Sequence, residues 1–414
     1  MKSNLINEKA QYLWILVMLS MTFPLFQGLP VFNRPYIFWG ISLGLALMMT
    51  PKYFNSKSFT LVVIYFLIVW INHIAGDNYF KETKICINEL LFLFIPSSMI
   101  YFLFKYGDFR CFKILLLVFC VCLIESSVIS YIANEFLPGI IRLQASGVEE
   151  YSSLLLPFMR KGMSDYNMPH ALPVLVPGFV YAIKNTKKMM RYFLLISLIA
   201  LFVIVFVSSS FTALLFVVIS LLLSLIINPD SIKTSSIRLI TIMVILLPVL
   251  SSETVMLSAL ETADSIFPEE SVAHRKITDI EESILYGDAE GGLENRQKLY
   301  DITLSEITGR LIIGTDAGVG GHSALLDRLA VLGLVGMIPL FLFVYNQIKH
   351  VRNKIKGPQL LYYYVGIIMA VLMMLSKNMS KWSMWFFLLF LLPGMIYYFA
   401  PLENNKKLKI DAKK

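Results

Sequence analysis

The sequence has few charged residues, few histidines and few cysteines for its length. Of its 414 residues, 15% are charged, 5 are His and 4 are Cys, whereas 57% are hydrophobic, and the mean hydropathy is +0.69. A soluble chain of this length needs a larger charged surface and a smaller apolar fraction. The composition therefore excludes an ordinary soluble domain and indicates a polytopic membrane protein.

The cysteines exclude a disulfide framework. They lie within, or at the cytoplasmic ends of, two predicted spans, away from any oxidising loop; they are Cys86, Cys111, Cys120 and Cys122. We interpret them as core residues, because they lack the partner ligands and water access of a metal site. No carboxylate pair or histidine cluster has metal-ligand spacing on one face, so we predict no metal and no other cofactor.

Long apolar runs are present instead. A run of about 20 residues crosses the roughly 30 Å of hydrocarbon in a bilayer. The first run continues past Pro24 without a small-residue cleavage site, so we predict a retained span and not a removed signal peptide. The fold class predicted is all-α, with about twelve spans near 12–29, 36–50, 59–75, 85–105, 111–133, 169–184, 191–207, 209–227, 237–253, 323–346, 359–376 and 382–400.

The distribution of basic residues predicts the orientation. With the amino terminus inside, 22 of the 36 Lys and Arg residues lie in cytoplasmic segments and 13 outside, with Arg328 at a helix entrance. Positive loops stay cytoplasmic, so both termini are predicted to be cytoplasmic. The net charge of +8 is spread over many short loops. We therefore expect a lipid bilayer as partner and no nucleic acid.

Two segments are neither span nor short connector. Residues 1–253 hold the first nine spans, including an extracytoplasmic loop at 134–168. A large acidic extracytoplasmic loop follows at 254–321, then three spans at 322–400 and a basic cytoplasmic tail at 401–414. The stretch 251–321 carries 14 of the 28 acidic residues, and its length predicts a small surface domain.

One predicted helix of the acidic loop places an arginine on its packed face. The stretch is LENRQKLYDITLSEITGRLIIG. At 100° per residue, Arg296 shares one face with Tyr300, Thr303 and Ile307. Two interpretations remain open: Arg296 extends to the surface or pairs with a local carboxylate, or it points to the membrane surface and holds an anion.

The next stretch places polar residues where a span begins. It reads GTDAGVGGHSALLDRLAVLGLVG. Glycine amides that lead into a helix amino terminus can form an anion site. Asp327 and Arg328 lie roughly 8 Å deeper than His322 at 1.5 Å per residue. Asp327 shares a face with Ser323 but lies about 140° from His322, so we do not assign Asp327 to orient the histidine, and another span is a candidate for that role. These residues are either interfacial caps or the lining of a polar cavity.

A second outer entrance has similar character. It reads RKGMSDYNMPHALP and includes Arg160, Asn167 and His170. Asn167 suits a helix cap, and the following proline suits the first helical turn. Capping does not account for Arg160 or for Arg142 upstream, because outer loops of membrane proteins are usually poor in arginine.

Taken in order, these motifs resemble the O-antigen and capsule polymerase and ligase superfamily. In that superfamily an arginine opens a periplasmic helix, and a glycine-rich turn, a histidine and a span with Gly-x-x-Gly follow. The matching positions here are Arg296, 314–321, His322, and Gly333 with Gly336. The resemblance covers about 142–336. The segment HSALLD departs from the HN of many ligases, which favours a Wzy-type polymerase.

The resemblance implies a GT-C-like membrane glycosyltransferase in a bacterial cytoplasmic (inner) membrane. Its substrate would be a polyprenyl-diphosphate-linked oligosaccharide, polymerised at the outer face into O antigen or capsule. A chain-length regulator and a flippase of the same pathway would be its partners. His322 and Arg296 would be catalytic, with His322 acting as a base or as a donor to the diphosphate. The substrate-binding candidates are Arg160, Arg142, Asn167, His170, Asp327 and Arg328.

Two other functions fit the sequence. A ligase would differ only in its acceptor, a lipid-A core sugar. A transporter or lipid-linked glycan flippase would also have about twelve spans with both ends inside, but we expect it to show related halves, a charged midplane site and no large outer domain. The sequence shows no internal repeat and no doubled broken-helix pattern. Glu125, inside the fifth predicted span, is the buried acid that fits transport best. It is otherwise a structural hydrogen-bonding group or a contributor to catalysis.

Overall fold

The computed structural model describes most of the chain. The described residues are 11–14, 17, 19–20, 22–27, 35–74, 79–106, 109–143, 149–208, 210–227, 292–315, 319–378 and 381–400, with short pieces between 231 and 281. None of them forms a β-strand. The all-α class is confirmed. Most of the predicted acidic loop and the basic tail lie outside the described residues.

The main helices follow the apolar runs. In chain order they are α1 (Pro35–Met49), α2 (Lys57–Ile74), α3 (Tyr79–Tyr106), α4 (Phe109–Phe136), α5 (Glu149–Arg160), α6 (Val176–Asn185), α7 (Lys188–Val207), α8 (Phe211–Ile226), α9 (Gly292–Arg310), α10 (Ala324–Lys354), α11 (Gln359–Ser376) and α12 (Trp382–Tyr398). Short helical turns at Pro24–Gln27, Ile140–Leu143, Met168–Ala171 and Leu172–Val174 connect them.

Among the described residues, five helices are long and apolar enough to cross a membrane. They are Cys86–Lys105, Arg110–Phe136, Lys188–Val207, Ala324–Lys354 and Gln359–Ser376. Four shorter apolar helices accompany them, at Gly40–Met49, Lys57–Asn72, Phe211–Ile226 and Trp382–Tyr398. Leucine and isoleucine side chains on their outer faces are exposed, as lipid-facing surfaces require. The chain is therefore an all-α membrane protein.

The predicted spans match these helices at most positions. The spans predicted from 36–50 to 111–133 correspond to α1 to α4, 191–207 and 209–227 to α7 and α8, and the last three to α10 to α12. The predicted spans 12–29 and 237–253 lie partly and almost wholly outside the described residues. The count of twelve stays a prediction.

Two irregular helices pack together in the core. The first, at 168–185, is divided into two short turns and α6, with Pro169, Pro173 and Pro177 each near the start of a piece. The second is α12, which contains a π-helical turn over Phe387–Leu391. A Cβ at Gly178 would lie 3.1 Å from Leu392 Cδ1, so the two helices approach closely. Neither helix unwinds at its irregular turns.

A break divides α10 near its amino-terminal end. Gly333 has φ +60° and ψ −172°, outside helical values. The segment after α9 fills the break: Leu334 N–H donates to Leu311 O (2.9 Å), Val335 N–H to Ile312 O (3.1 Å) and Thr315 N–H to Ala330 O (2.8 Å). Asn72 of α2 donates its amide to Val331 O (3.3 Å). Within a bilayer each freed backbone group must find such a partner.

A lysine closes the end of the helix bundle that lies opposite the break in α10. Lys184 Nζ, at the end of α6, donates to the carbonyls of Ser224, Leu225 and Ile227 at 3.0–3.2 Å. These carbonyls end α8, where a helix has free acceptors and the negative end of its dipole. This end carries the loops that the basic residues predict to be cytoplasmic.

Candidate functional site

His322 lies on the loop that leads into α10, at the predicted outer end. Its ring is half-buried and meets the ring of Tyr300 edge to face, with 5.8 Å between ring centroids. Tyr300 belongs to α9, and its hydroxyl donates to Leu375 O (3.0 Å) at the end of α11. The ring contact thus comes from α9, a helix of the predicted outer loop and not one of the predicted spans.

Asp327 and Thr303 hold this loop against α9. The Thr303 hydroxyl donates to Asp327 Oδ1 (2.9 Å) and accepts from Gly320 N–H (3.0 Å). Asp327 Oδ2 accepts from Ser323 N–H (3.0 Å). Both Thr303 and Asp327 are buried. Asp327 therefore fixes the backbone on either side of His322 and does not touch the histidine ring, in keeping with its predicted angular separation.

The anion cradle expected from the glycines is largely occupied by the protein itself. Gly320 and Ser323 donate their N–H groups to Thr303 and Asp327. Ala324 N–H donates to Lys377 O (3.0 Å), and Leu326 N–H donates to Ser323 Oγ (3.2 Å). Residues 316–318 lie outside the described residues. These four amides are therefore engaged within the protein, and the anion site stays a prediction.

Arg296 belongs to α9, one turn before Tyr300. Its side chain lies outside the described residues. The face predicted for it is supported by its neighbours, because Thr303 is 1% exposed and Tyr300 contacts the His322 loop. The backbone of α9 thus carries Arg296 on the helix that packs against the histidine.

Arg328 is engaged inside the protein. Its Nη2 lies 2.6 Å from Glu89 Oε1 of α3, and the Tyr65 hydroxyl of α2 donates to Glu89 Oε2 (3.3 Å). The pair joins three helices at membrane depth, where an uncompensated charge is costly. Glu89 was missed at the sequence level, although a lone carboxylate in an apolar run was a usable signal.

The second entrance is ordered by Asp165 and His170. Asp165 Oδ1 accepts from Met168 N–H (2.8 Å), and Oδ2 accepts from the Asn167 amide (3.3 Å). Burial raises the pKa of the Asp165 carboxyl, although these hydrogen bonds and the charge of Lys381 oppose the rise. The predicted substrate ligand Asn167 thus bonds to Asp165, and its side chain does not cap the helix.

His170 is fully buried. Its Nδ1 lies 2.9 Å from Tyr166 O, and its Nε2 lies 2.9 Å from the Ser210 hydroxyl. A carbonyl can only accept, so Nδ1 donates to Tyr166 O, and Nε2 shares a hydrogen bond with the Ser210 hydroxyl. Both nitrogens are used within the protein, and His170 joins the second entrance to the start of α8.

The cationic candidates Arg160 and Arg142 lie beside this entrance. Arg160 ends α5 with an exposed side chain, next to the exposed Lys161. Arg142 lies in the turn Ile140–Leu143, and its side chain lies outside the described residues. Exposed cations at an outer surface suit an anionic ligand.

A short connector missed at the sequence level brings the two entrances near each other. The Asn378 amide donates to Gly321 O (3.2 Å) beside His322, and Lys381 lies close enough to influence Asp165 electrostatically. The Cα atoms of Asn378 and Lys381 are at most about 11 Å apart by chain length. The polar run between α11 and α12 was the signal that could have found it.

Comparison with known proteins adds no family to this picture. No protein-family model matches the sequence, and the search of curated proteins gave no match.

Proposed function

We propose that this protein is a membrane glycosyltransferase of the polysaccharide-polymerase type. It would join polyprenyl-diphosphate-linked oligosaccharides at the outer face of a bacterial cytoplasmic membrane into O antigen or capsule. The observation that carries the proposal is the His322 loop, which is held at the mouth of a membrane-spanning helix by α9, the helix of Arg296.

The reaction needs three things that this arrangement supplies. The leaving diphosphate needs cations, for which Arg296, Arg160 and Arg142 are candidates as bidentate phosphate donors. The acceptor hydroxyl needs a group able to take or share its proton near neutral pH, which suits His322. The lipid tails need access to the bilayer, which the helix entrance provides. Asp327, Arg328 and His170 act on this site through the backbone and neighbouring helices.

The test is a surface-glycan ladder from cells that lack the native gene. Cells would carry wild type, Arg296→Ala or His322→Phe, with membrane expression measured for each. Arg310→Ala is the matched control, because Arg310 ends the same helix with an exposed side chain. We expect long chains from wild type and the control, and single-repeat glycans from the two site variants. Normal ladders from both site variants would contradict the proposal.

Transport of a lipid-linked glycan is the second candidate. The observation in its favour is the pair of irregular helices that meet in the core, at 168–185 and in α12, because interrupted helices are common at transport sites. A flippase predicts that cells lacking the gene accumulate lipid-linked repeats on the inner face. A polymerase predicts that single repeats still reach the outer face. Labelling of surface sugars in the deletion strain separates the two.

A further inference from the structure

Glu125 is a carboxylate inside a candidate membrane-spanning helix, and it has no hydrogen-bond or ion-pair partner among the described residues. It lies on α4 within the candidate span Arg110–Phe136 and is half-buried. It lies eleven residues before the outer end of the helix, or about 16 Å below that end at 1.5 Å per residue. No hydrogen bond or ion pair to Glu125 occurs within the part of the chain that the structure describes. Charged groups at such depth normally have a partner.

The loop after α5 descends to the level of Glu125. Gly162 has φ +104°, and a Cβ built there would lie 3.8 Å from the Glu125 carboxylate. The same loop is fixed to α4 at Ser164, whose N–H donates to Ser130 Oγ (2.9 Å). Met163 and Ser164 are buried. The backbone of this loop therefore lies inside the bundle and lines one side of the carboxylate.

Two exposed cations stand directly beside this point. Arg160 and Lys161 immediately precede Gly162, and both side chains are exposed. An ammonium or guanidinium group is unfavourable in hydrocarbon by about 2.5 to 3.5 kcal/mol on insertion scales. Their side chains are therefore accessible from outside the protein close to the loop that lines Glu125. We call this the outer recess: Glu125, Ser126, Arg160, Lys161 and Gly162.

A second polar group in the outer recess is also unsatisfied. Ser126 follows Glu125 on α4, is 2% exposed, and its hydroxyl has no hydrogen-bond partner among the described residues. Buried hydroxyls nearly always have a partner, and those that lack one call for an explanation. A purely structural Glu125 would be expected to pair with a neighbouring cation, and it does not do so within the described residues.

We propose that the outer recess binds the sugar end of a lipid-linked glycan, with the Glu125 carboxylate accepting hydrogen bonds from sugar hydroxyls. Arg160 and Lys161 at its rim would contact the adjoining diphosphate, because cations suit phosphate and a carboxylate suits hydroxyl donors. This inference rests on the proposed function for the identity of the glycan, and it adds a sugar-recognition residue that the arginine and histidine assignments do not include.

The test is direct binding to the purified protein in nanodiscs. The two probes are a synthetic polyprenyl-diphosphate-linked disaccharide and the same polyprenyl diphosphate without sugar. We expect Glu125→Gln to weaken binding of the sugar-bearing probe by about tenfold or more and to leave binding of the sugar-free probe unchanged. Glu125→Asp should fall between Glu125→Gln and wild type. Glu135→Gln, an exposed carboxylate on the same helix, is the control and should bind both probes as wild type does.

Two results would overturn this proposal. One is equal binding of the disaccharide probe by wild type and Glu125→Gln. The other is an equal loss for both probes together with a lower Tm, which would assign Glu125 a structural role. Failure of the proposed function is a separate result: Arg296→Ala and His322→Phe would then give normal ladders, whereas selective loss of sugar binding in Glu125→Gln would still support a glycan site in the outer recess.

Discussion

Thr303 is the residue through which the acidic-loop helix and the first span after it are connected. Its hydroxyl contacts both the Asp327 carboxylate and the Gly320 amide. Because it is buried, no water can replace these contacts at low cost. The position of His322 therefore depends on this hydroxyl together with the Tyr300 ring and the Asn378 amide.

Replacing Thr303 by Val keeps the shape and removes the hydroxyl. We expect Thr303→Val to lower stability by about 1 to 3 kcal/mol, because Asp327 and Gly320 lose a buried partner. Polymer length should also fall. The measurements are the Tm of the purified protein and the glycan ladder. Thr308→Val is the control, since Thr308 is exposed on the same helix and bonds only to Ser305 O. Equal Tm and equal glycan ladders for Thr303→Val and Thr308→Val would contradict the role of Thr303.

The Asp165 carboxyl at the second entrance makes the stability of the folded protein depend on pH. Burial raises the pKa of its carboxyl in the folded protein, so the folded state favours the protonated form more than the unfolded state does. This stabilisation is fully present below the ordinary aspartate pKa of about 3.9 and is lost as pH rises through the folded-state pKa. The Asp165→Asn amide resembles the protonated carboxyl at every pH.

We therefore expect Asp165→Asn to have a higher Tm than wild type at pH 7, with the difference shrinking as pH falls toward 4. Thermal unfolding in detergent from pH 7 to pH 4 measures this difference in Tm. Asp301→Asn, on the exposed face of α9, should show a difference from wild type that does not vary with pH in this way. A constant offset for Asp165→Asn would show that its carboxyl does not titrate differently on folding.

The helix face on which a residue lies was easier to predict from sequence than the residue that it contacts on another helix. Helical periodicity alone placed Tyr300 and Thr303 toward the core, and both contact the α10 entrance. The partner of Arg328 could not be predicted in this way, because Glu89 is 239 residues away in sequence. Pattern within one helix carries no information about which other helix will pack beside it. Arg328 was therefore assigned to a ligand when a carboxylate of α3 already holds it.

Among the elements, α10 differs most from its expected form. An apolar run at 323–346 predicts a continuous span, because apolar residues do not reveal a break that another backbone segment fills. The useful signal was glycine: Gly314 and Gly333 both have positive φ. A Cβ at Gly314 would collide with Val331 O, and one at Gly333 would collide with Ile312 O. The two glycines allow two backbones to meet where side chains cannot fit.

Alanine at either glycine should separate α9 from α10. Gly314→Ala and Gly333→Ala would each meet a backbone collision and a left-handed conformation that costs about 1 to 2 kcal/mol. We expect a lower Tm and loss of long polymer for both. Gly309→Ala is the control, because nothing lies within 4 Å of its Cβ position and alanine favours a helix by about 1 kcal/mol. Retention of wild-type Tm by Gly333→Ala would contradict this account of the break.

At the scale of the whole molecule, apolar length and charge predicted more of the architecture than motifs did. The predicted run at 169–184 was expected to be one short span, but its three prolines divide it into pieces that are buried in the core. Here apolar composition reflects contact with other helices and not with lipid. Lys184 lies near the end of α8, opposite the end that carries His322, and the assignment of these ends to the inner and outer faces stays a prediction.

The arrangement of helix ends makes topology testable residue by residue. Lys381 lies in the connector beside the candidate site, and Lys356 lies between α10 and α11 at the other end; both are exposed. In a background where the four cysteines are replaced, we expect Lys381→Cys to react with a membrane-impermeant maleimide in intact spheroplasts. Lys356→Cys should react only after permeabilisation. The four native cysteines are buried, so their replacement by serine or alanine needs a check of Tm and ladder first.

Labelling of Lys356→Cys in intact spheroplasts, with Lys381→Cys protected, would place His322 and both entrances on the cytoplasmic face. Lipid-linked glycans are polymerised at the outer face under the proposed function, so the inverted result would remove its premise and leave the two irregular core helices as the better guide to function.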